Sequence, residues 1–263
     1  MTEPIRCREV RLPGVVPRWE IPGWRERFGV AAGITGRGDE PGPGFDLGLW
    51  TGEPVGQVST RWRELLRAGP GFGGAVLSHQ VHGTAVAWHQ GASEGWTIRA
   101  GLDGHATGAA GLLLLVTVAD CVPVYLVDPA RLNLALIHAG WRGVAGGILA
   151  AGVRLMVEAG GSSPEDIVMH CGVAISGPCY EVAGEVASAC GKLADPGTKL
   201  HLDLRHRLAD QAAVLGLGEV TVSAHCTASQ PADFFSHRRS GGADGRQVAY
   251  LGRPVAGSTA VPL

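Results

Sequence analysis

Three short segments of the chain set a histidine or cysteine at the end of an apolar run, next to a residue that stops strand pairing. They are SHQVHG (78–83), VADCVP (118–123) and LIHAGWRG (136–143). Loops at strand ends are where binding and catalytic groups are usually assembled on a rigid scaffold. If His79 and His82 share one extended segment, their odd offset sends them to opposite faces, so only one can face a common site. His82 is the better choice, because Gly83 lets backbone or ligand approach closely. Asp120 and Cys121 also point opposite ways and should have different roles. His82, Cys121 and His138 together offer three nitrogen and sulfur donors with a fourth position open, the usual arrangement of catalytic zinc. Their spacing matches no compact zinc-finger pattern. A single histidine in an apolar strand is commonly a hydrogen-bonded core residue, and a buried cysteine is commonly inert. Spacing alone leaves both readings open.

The elements that would position these residues can be read from periodicity. Leu112 to Val118 is apolar at every position but Thr117, as expected of a central strand covered on both faces. Strands are also expected at Ala75 to Leu77, Gly83 to Trp88, Val122 to Val127, Leu134 to His138, Ile167 to Val173 and Val220 to Ala224. Helices are expected from Val58 to Ala68, from the GWRG turn (140–143) to about Glu158, and after Asp203, which can cap a helix carrying Leu204, Leu208, Ala212 and Leu215. Ser163-Pro164-Glu165 reads as a single helical turn. Gly36 to Gly44 must be a loop, and the Pro-rich segment Met1 to Trp24 is expected to lie on the surface. Helices set between grouped strands favour an α+β sandwich in one catalytic domain spanning 1–263, with 1–24 peripheral.

Composition narrows the function classes. A length of 263 residues, 45% of them hydrophobic, is enough for one large core. The formal net charge is −2 with scattered Lys and Arg, which argues against a nucleic-acid or anionic-membrane partner. No signal peptide is visible, and the longest apolar stretch, Gly111 to Ala119, is far short of a bilayer span. A cytoplasmic location is therefore expected. Six cysteines without a CxxC pair read as reduced thiols rather than a disulfide framework.

The segments QVHG (80–83), ADC-x-P (119–123), HAGWRG (138–143), YEV (180–182), CT (226–227), FFSHRR (234–239) and GR (245–246) occur in this order. Together they resemble a bacterial family described first as multicopper polyphenol oxidoreductases or laccases and later as purine nucleoside phosphorylases. The resemblance runs from about residue 30 to the C-terminus. It implies zinc on His82, Cys121 and His138, and an α/β/β/α sandwich similar to toxin deamidases that use a Cys-His pair. It also implies phosphorolysis of adenosine, inosine and methylthioadenosine, deamination of adenosine, and nucleoside and phosphate as the small-molecule partners.

Phosphorolysis needs a bound phosphate, a stabilised sugar cation and a protonated leaving base. Arg142 is the first phosphate candidate, expected just before a helix N-terminus, where backbone N–H groups favour an anion. Arg238, Arg239 and Arg246 are further candidates, since a guanidinium grips two phosphate oxygens. Asp103, in LDGHATG (102–108), matches the family's Asp in that loop and could contact a ribose hydroxyl or act as an acid. Phe235 could stack on a purine, and Arg37 matches the Arg of the family's N-terminal T-x-R loop. Two departures bear on substrate. Asp46-Leu47-Gly48 replaces the family's Asn-Leu-Gly, adding negative charge if residue 46 lines the pocket. His237 replaces a Tyr hydroxyl with an imidazole. Gly172-Val173 also stands for the family's Gly-Pro. Two other functions compete: a cysteine hydrolase or deamidase with Cys121 as nucleophile and His138 as base, and a copper-dependent polyphenol oxidase. The chain has no His-x-His and three Met, which argues against a blue-copper centre.

Overall fold

Two seven-stranded sheets stack face to face, and helices cover the outer side of each. The computed structural model describes residues 4–39, 42, 44–69, 71–91 and 94–255. In chain order the first elements are β1 (Ile5–Cys7), β2 (Val10–Leu12), β3 (Arg18–Glu20), α1 (Trp24–Phe28), β4 (Ala31–Thr35) and α2 (Val55–Arg67). Then come β5 (Gly74–His79), β6 (Val86–His89), β7 (Gly95–Ala100), β8 (Gly104–Thr107), β9 (Leu112–Val118), β10 (Val122–Asp128) and β11 (Asn133–Ala139). The remainder is α3 (Trp141–Gly146), α4 (Ile148–Gly160), β12 (Val168–Cys171), β13 (Glu181–Ala183), α5 (Gly184–Ala189), β14 (Lys199–His201), α6 (Leu204–Leu215), β15 (Glu219–Ser223), α7 (His237–Ser240) and β16 (Gln247–Gly252). One sheet has the order β1-β15-β12-β10-β11-β8-β6, and the other β2-β3-β4-β16-β9-β5-β7.

Strand alternation sorts the apolar side chains into three layers. Leu112, Leu114, Val116 and Val118 of β9 face the other sheet, where they meet Tyr125 and Val127 of β10 and Leu134 and Leu136 of β11. Leu113 and Leu115 point the other way, onto Val58, Trp62 and Leu65 of α2. Val122, Val124 and Leu126 of β10, with Ala135 and Ile137 of β11, pack outward on Ile148, Leu149, Val153 and Met156 of α4 and on Leu208 of α6. The result is an α/β/β/α arrangement in which β9 is buried on both faces. Each fully buried Leu of such a strand contributes roughly 1.5–3 kcal/mol.

Several expectations need correction. The N-terminal segment is not peripheral: β1 joins one sheet and β3 the other, and Val16, Trp19, Ile21 and Trp24 are core residues. The Glu9 carboxylate is buried there against His170 Nε2 at 3.0 Å and Ser223 Oγ at 2.7 Å. The helix expected after GWRG is two helices, because Gly147 adopts a left-handed φ of 82° between them. A side chain on Gly146 would also strike Thr84 Cγ2 at 2.8 Å. The strand expected from Gly83 begins at Val86, since the residues before it are drawn into the loop around Asp103. Within Gly36 to Gly44 the described residues carry no helix or strand; Glu40, Pro41 and Pro43 lie outside the described residues, as do Met1 to Glu3.

Candidate metal centre and cleft

The two sheets exchange the chain at one end of the sandwich. β9 belongs to one sheet and β10 to the other, so Ala119-Asp120-Cys121 crosses between them. β10 and β11 are antiparallel neighbours with Pro123 opposite His138, which brings Cys121 beside the end of β11. His138 shares strand parity with Leu134 and Leu136 and therefore faces the space between the sheets. His82 arrives from the other sheet, three residues beyond the end of β5. The ligand atoms of His82, Cys121 and His138 all lie within 4.8 Å of one another, and the two imidazole rings stand at 82°.

Asp103 builds this arrangement. It is fully buried, and its Oδ1 accepts from His138 Nδ1 at 2.9 Å and from the His82 backbone N–H at 2.9 Å. Its Oδ2 accepts from the N–H groups of Gly83 at 2.7 Å and Val81 at 3.2 Å. The carboxylate thus directs His138 Nε2 toward the other two donors and holds the loop that carries His82. That loop needs holding, because His82 has a φ of 58°, a left-handed conformation that is uncommon for a non-glycine residue. Gln80 anchors the same loop by pairing with the backbone of β9: Thr117 N–H donates to its Oε1 at 2.7 Å, and its Nε2 donates to Thr117 O at 2.8 Å.

The electrostatics follow from these contacts. Burial works against a Cys121 thiolate, but His138 charge and hydrogen bonds from His138 and His82 outweigh it and bring the thiol down to about 6. Burial likewise opposes a charged His138, yet the Cys121 thiolate and Asp103 raise it to about 9. Asp103 sits below the ordinary carboxylate range: burial opposes its charge, and hydrogen bonds from His138 and the Gly83 N–H more than offset that. The trio therefore carries a thiolate of the kind that binds a metal. Gly140 closes the cradle: a Cβ there would lie 3.0 Å from His82 Cδ2 and 3.1 Å from Cys121 Sγ. Among the described residues no fourth His, Cys, Asp or Glu joins the group. His105 is occupied by Ser78 and His89, and Cys226 by Ser176.

The trio opens into a cleft of about 460 Å³. Its walls include Trp50, His79, Tyr180, Arg142, His237, Arg238 and Arg246. Of the residues picked from sequence as substrate contacts, Arg142, His237, Arg238 and Arg246 line this cleft, whereas Arg37, Asp46 and Phe235 do not. Arg37 pairs with Asp244 at 2.5 Å and covers the buried Phe235 ring at 4.4 Å. Asp46 accepts the N–H groups of Gly48 and Arg246 at 2.8 and 2.7 Å, so its carboxylate shapes a loop instead of facing the cleft. Asp103 lies beneath the ligands with both oxygens engaged, and does not reach toward a ribose. Arg239 is tied to Asp244 and the carbonyls of Thr227 and Phe234. Arg142 is the second residue of α3 instead of preceding it.

Strand parity reached His82 by a premise that does not hold. β5 stops at His79, the backbone turns at His82, and both histidines border the cleft. Sequence reasoning missed Trp50, whose ring meets that of His79 at 4.7 Å with the planes tilted by 60°, and Tyr180, whose ring carries Arg238 at 4.9 Å. Asp120 was expected to differ in role from Cys121. Its carboxylate turns away from the trio, accepting Thr227 Oγ1 at 2.5 Å and the Arg238 N–H at 2.7 Å, which fixes α7 against the cleft.

The fold is a two-sheet sandwich with a His-Cys-His trio, a candidate metal site, where the chain crosses between the sheets. The chain belongs to the multi-copper polyphenol oxidoreductase laccase family, whose model matches residues 29–254. It is 35% identical to the purine nucleoside phosphorylase YlmD of Geobacillus stearothermophilus, over 86% of this chain and 90% of that protein. It is 36% identical to the adenosine deaminase RL5 of an unknown prokaryotic organism, over 56% of this chain and 60% of that protein. The crystal structure of Bacillus licheniformis YfiH superposes with a TM-score of 0.81 at 27% identity, covering 92% of this chain and 98% of that one. No helix among the described residues is long and apolar enough to cross a membrane.

Proposed function

We propose that the chain is a zinc-dependent purine nucleoside phosphorylase acting on adenosine, inosine and methylthioadenosine. One observation carries the reading: the His82–Cys121–His138 trio sits in the same cleft as three arginines and two further histidines, with aromatic walls. Two nitrogens and a thiolate suit zinc, and three protein donors leave a position for water or substrate. When bound, zinc supplies fixed positive charge and Lewis acidity at that position. Arg142, Arg238 and Arg246 bind and orient phosphate, while Trp50 and Tyr180 offer stacking surfaces to the base. A phosphate oxygen attacks C1′ of the ribose. The C1′–N9 bond breaks, its electron pair leaves with the purine, and the base takes up a proton. His237 stands on the cleft wall as a candidate donor for that proton. Asp103 and Asp120 are positioning residues in this scheme.

Deamination of adenosine is a second reading, favoured by the likeness to the deaminase RL5. It needs a carboxylate to move protons beside the attacking water. Among the described residues lining the cleft the one carboxylate is Asp120, and both of its oxygens are engaged. A cysteine-hydrolase reading, akin to the toxin deamidases, rests on the Asp103–His138–Cys121 chain, which would serve as a triad when free of metal. A multicopper oxidase needs several copper sites, and the described residues offer one such group.

The deciding experiment is turnover of adenosine by the zinc-loaded protein, with and without phosphate, for wild type and Cys121→Ala. Adenine and ribose 1-phosphate should form only with phosphate and disappear in the variant. Phosphate-independent inosine would replace the reading with deamination, and phosphorolysis surviving full metal removal would refute the role of zinc.

A further inference from the structure

Behind the cleft wall, outside the trio, lies a pair of cysteines, Cys226 and Cys179. Cys226 follows β15 and is tied to Ala174 by an isolated parallel bridge. Cys179 ends the short turn Gly177–Cys179. The Cys226 sulfur receives hydrogen bonds where other buried thiols donate them. Cys171 points its S–H at the Arg205 carbonyl and Cys190 at the Trp141 carbonyl. Cys226 Sγ instead accepts from the Ser176 N–H at 3.3 Å and from Ser176 Oγ at 3.0 Å. Ser229 adds its own N–H and hydroxyl, and the Cys179 thiol is a further hydrogen-bonded neighbour. Several donors converging on one sulfur form a nest for an anion.

The contrast extends to acidity. Burial drives Cys171 up to about 12, whereas at Cys226 the Ser176 and Ser229 donors overcome burial and bring the thiol down to about 7. Cys226 is 6% exposed, while Cys179 is half-buried and on the solvent side of the pair. A thiolate beside a second, protonated and more accessible thiol is the arrangement of an oxidisable pair with its resolving partner.

We propose that Cys226 and Cys179 form a redox-active dithiol, in which Cys226 is the site of attack on hydroperoxides and Cys179 the resolving thiol. The Cys226 thiolate attacks the terminal oxygen of the hydroperoxide. The O–O bond breaks, the alkoxide or hydroxide leaves and takes a proton, and Cys226 becomes a sulfenic acid. The Cys179 sulfur then displaces that oxygen. An S–S bond forms, the S–O bond breaks, and the departing hydroxide takes the Cys179 proton as water. The two sulfurs together lose two electrons, and the peroxide is reduced to alcohol or water. Closure links the bridge residue Cys226 to the turn between Ile175 and Tyr180, both of which line the cleft.

The test treats the full, metal-loaded protein with stoichiometric hydrogen peroxide and maps cysteines by mass spectrometry after chymotryptic cleavage without reduction. Wild type should yield a Cys179–Cys226 disulfide. Cys179→Ser should instead accumulate a dimedone-trapped sulfenate at Cys226, forming about tenfold faster than at Cys171 or Cys190. Cys226→Ser should give neither product at Cys179. Because Cys179 is on the surface side, the Cys179→Ser variant is expected to fold normally, as its circular dichroism would verify. Oxidation first at Cys121 or Cys7 with Cys226 still reduced, or a sulfenate on Cys179 in the Cys226→Ser variant, would overturn the proposal.

Discussion

Replacing Asp103 with Asn separates a positioning carboxylate from a catalytic acid. Asp103 accepts four hydrogen bonds, two at each oxygen. An Asn can keep one accepting oxygen, best placed toward His138 and His82, but its NH₂ must then confront the N–H groups of Gly83 and Val81. Losing two bonds to a buried charge, at about 1.5–3 kcal/mol each, costs roughly 3–6 kcal/mol of folding stability. The His82 loop loses what holds its left-handed backbone, so metal affinity should fall about 10–100-fold, as expected when a partner that orients a ligand is removed. Urea unfolding of the metal-free protein and competitive metal titration measure the two effects. Turnover corrected for bound metal should be nearly unchanged. Metal binding within about threefold of wild type, together with a collapse in corrected turnover, would refute the positioning role and make Asp103 the acid.

Other consequences are equally specific. Gly140→Ala is tolerated by the backbone, at φ −78° and ψ 171°, but places Cβ 3.0–3.1 Å from His82 and Cys121. Relief of about half an ångström exceeds the ~0.2 Å tolerance of metal–ligand bonds, so metal affinity should drop about tenfold or more while metal-free stability barely changes. Burial raises Asp46 above its ordinary value, and the neighbouring Glu53 carboxylate adds to this. A raised carboxylate contributes stability below its unfolded value and loses it as pH rises through the folded one. Asp46→Asn, restoring the family's residue, should therefore raise the melting temperature at neutral pH and flatten its fall between acid and neutral pH. A lower neutral melting temperature would count against this. Glu9 behaves oppositely: burial opposes its charge, but His170 and Ser223 hold its folded value down, so its contribution is present above the ordinary carboxylate value and lost in acid. Glu9→Gln should cost about 3–5 kcal/mol at neutral pH, shrinking toward zero as pH falls through the folded value, in urea titrations across pH.

The sequence by itself determined much of the scaffold, because local chemistry decides it. The run Leu112 to Val118, apolar at every position but Thr117, appears as a strand over those same residues, and Asp203 caps α6 through the Arg205 N–H at 3.0 Å. The motifs also marked the three donor residues, since His and Cys beside glycine leave a visible trace. Tertiary structure alone decided which neighbours share the cleft. Asp103 belongs beneath His138 because β8 pairs with β11, and Asp46 and Phe235 are withdrawn from the cleft by hydrogen bonds and packing with distant residues. Trp50 and Tyr180 reach it from loops whose paths no local pattern encodes. Nor could periodicity show that residues 4–24 contribute strands to both sheets, since Pro and charge there mask pairing with strands distant in sequence. Residue type and short-range spacing fix what a side chain can do; the crossing of β9 into β10 between two sheets fixes what it does it to.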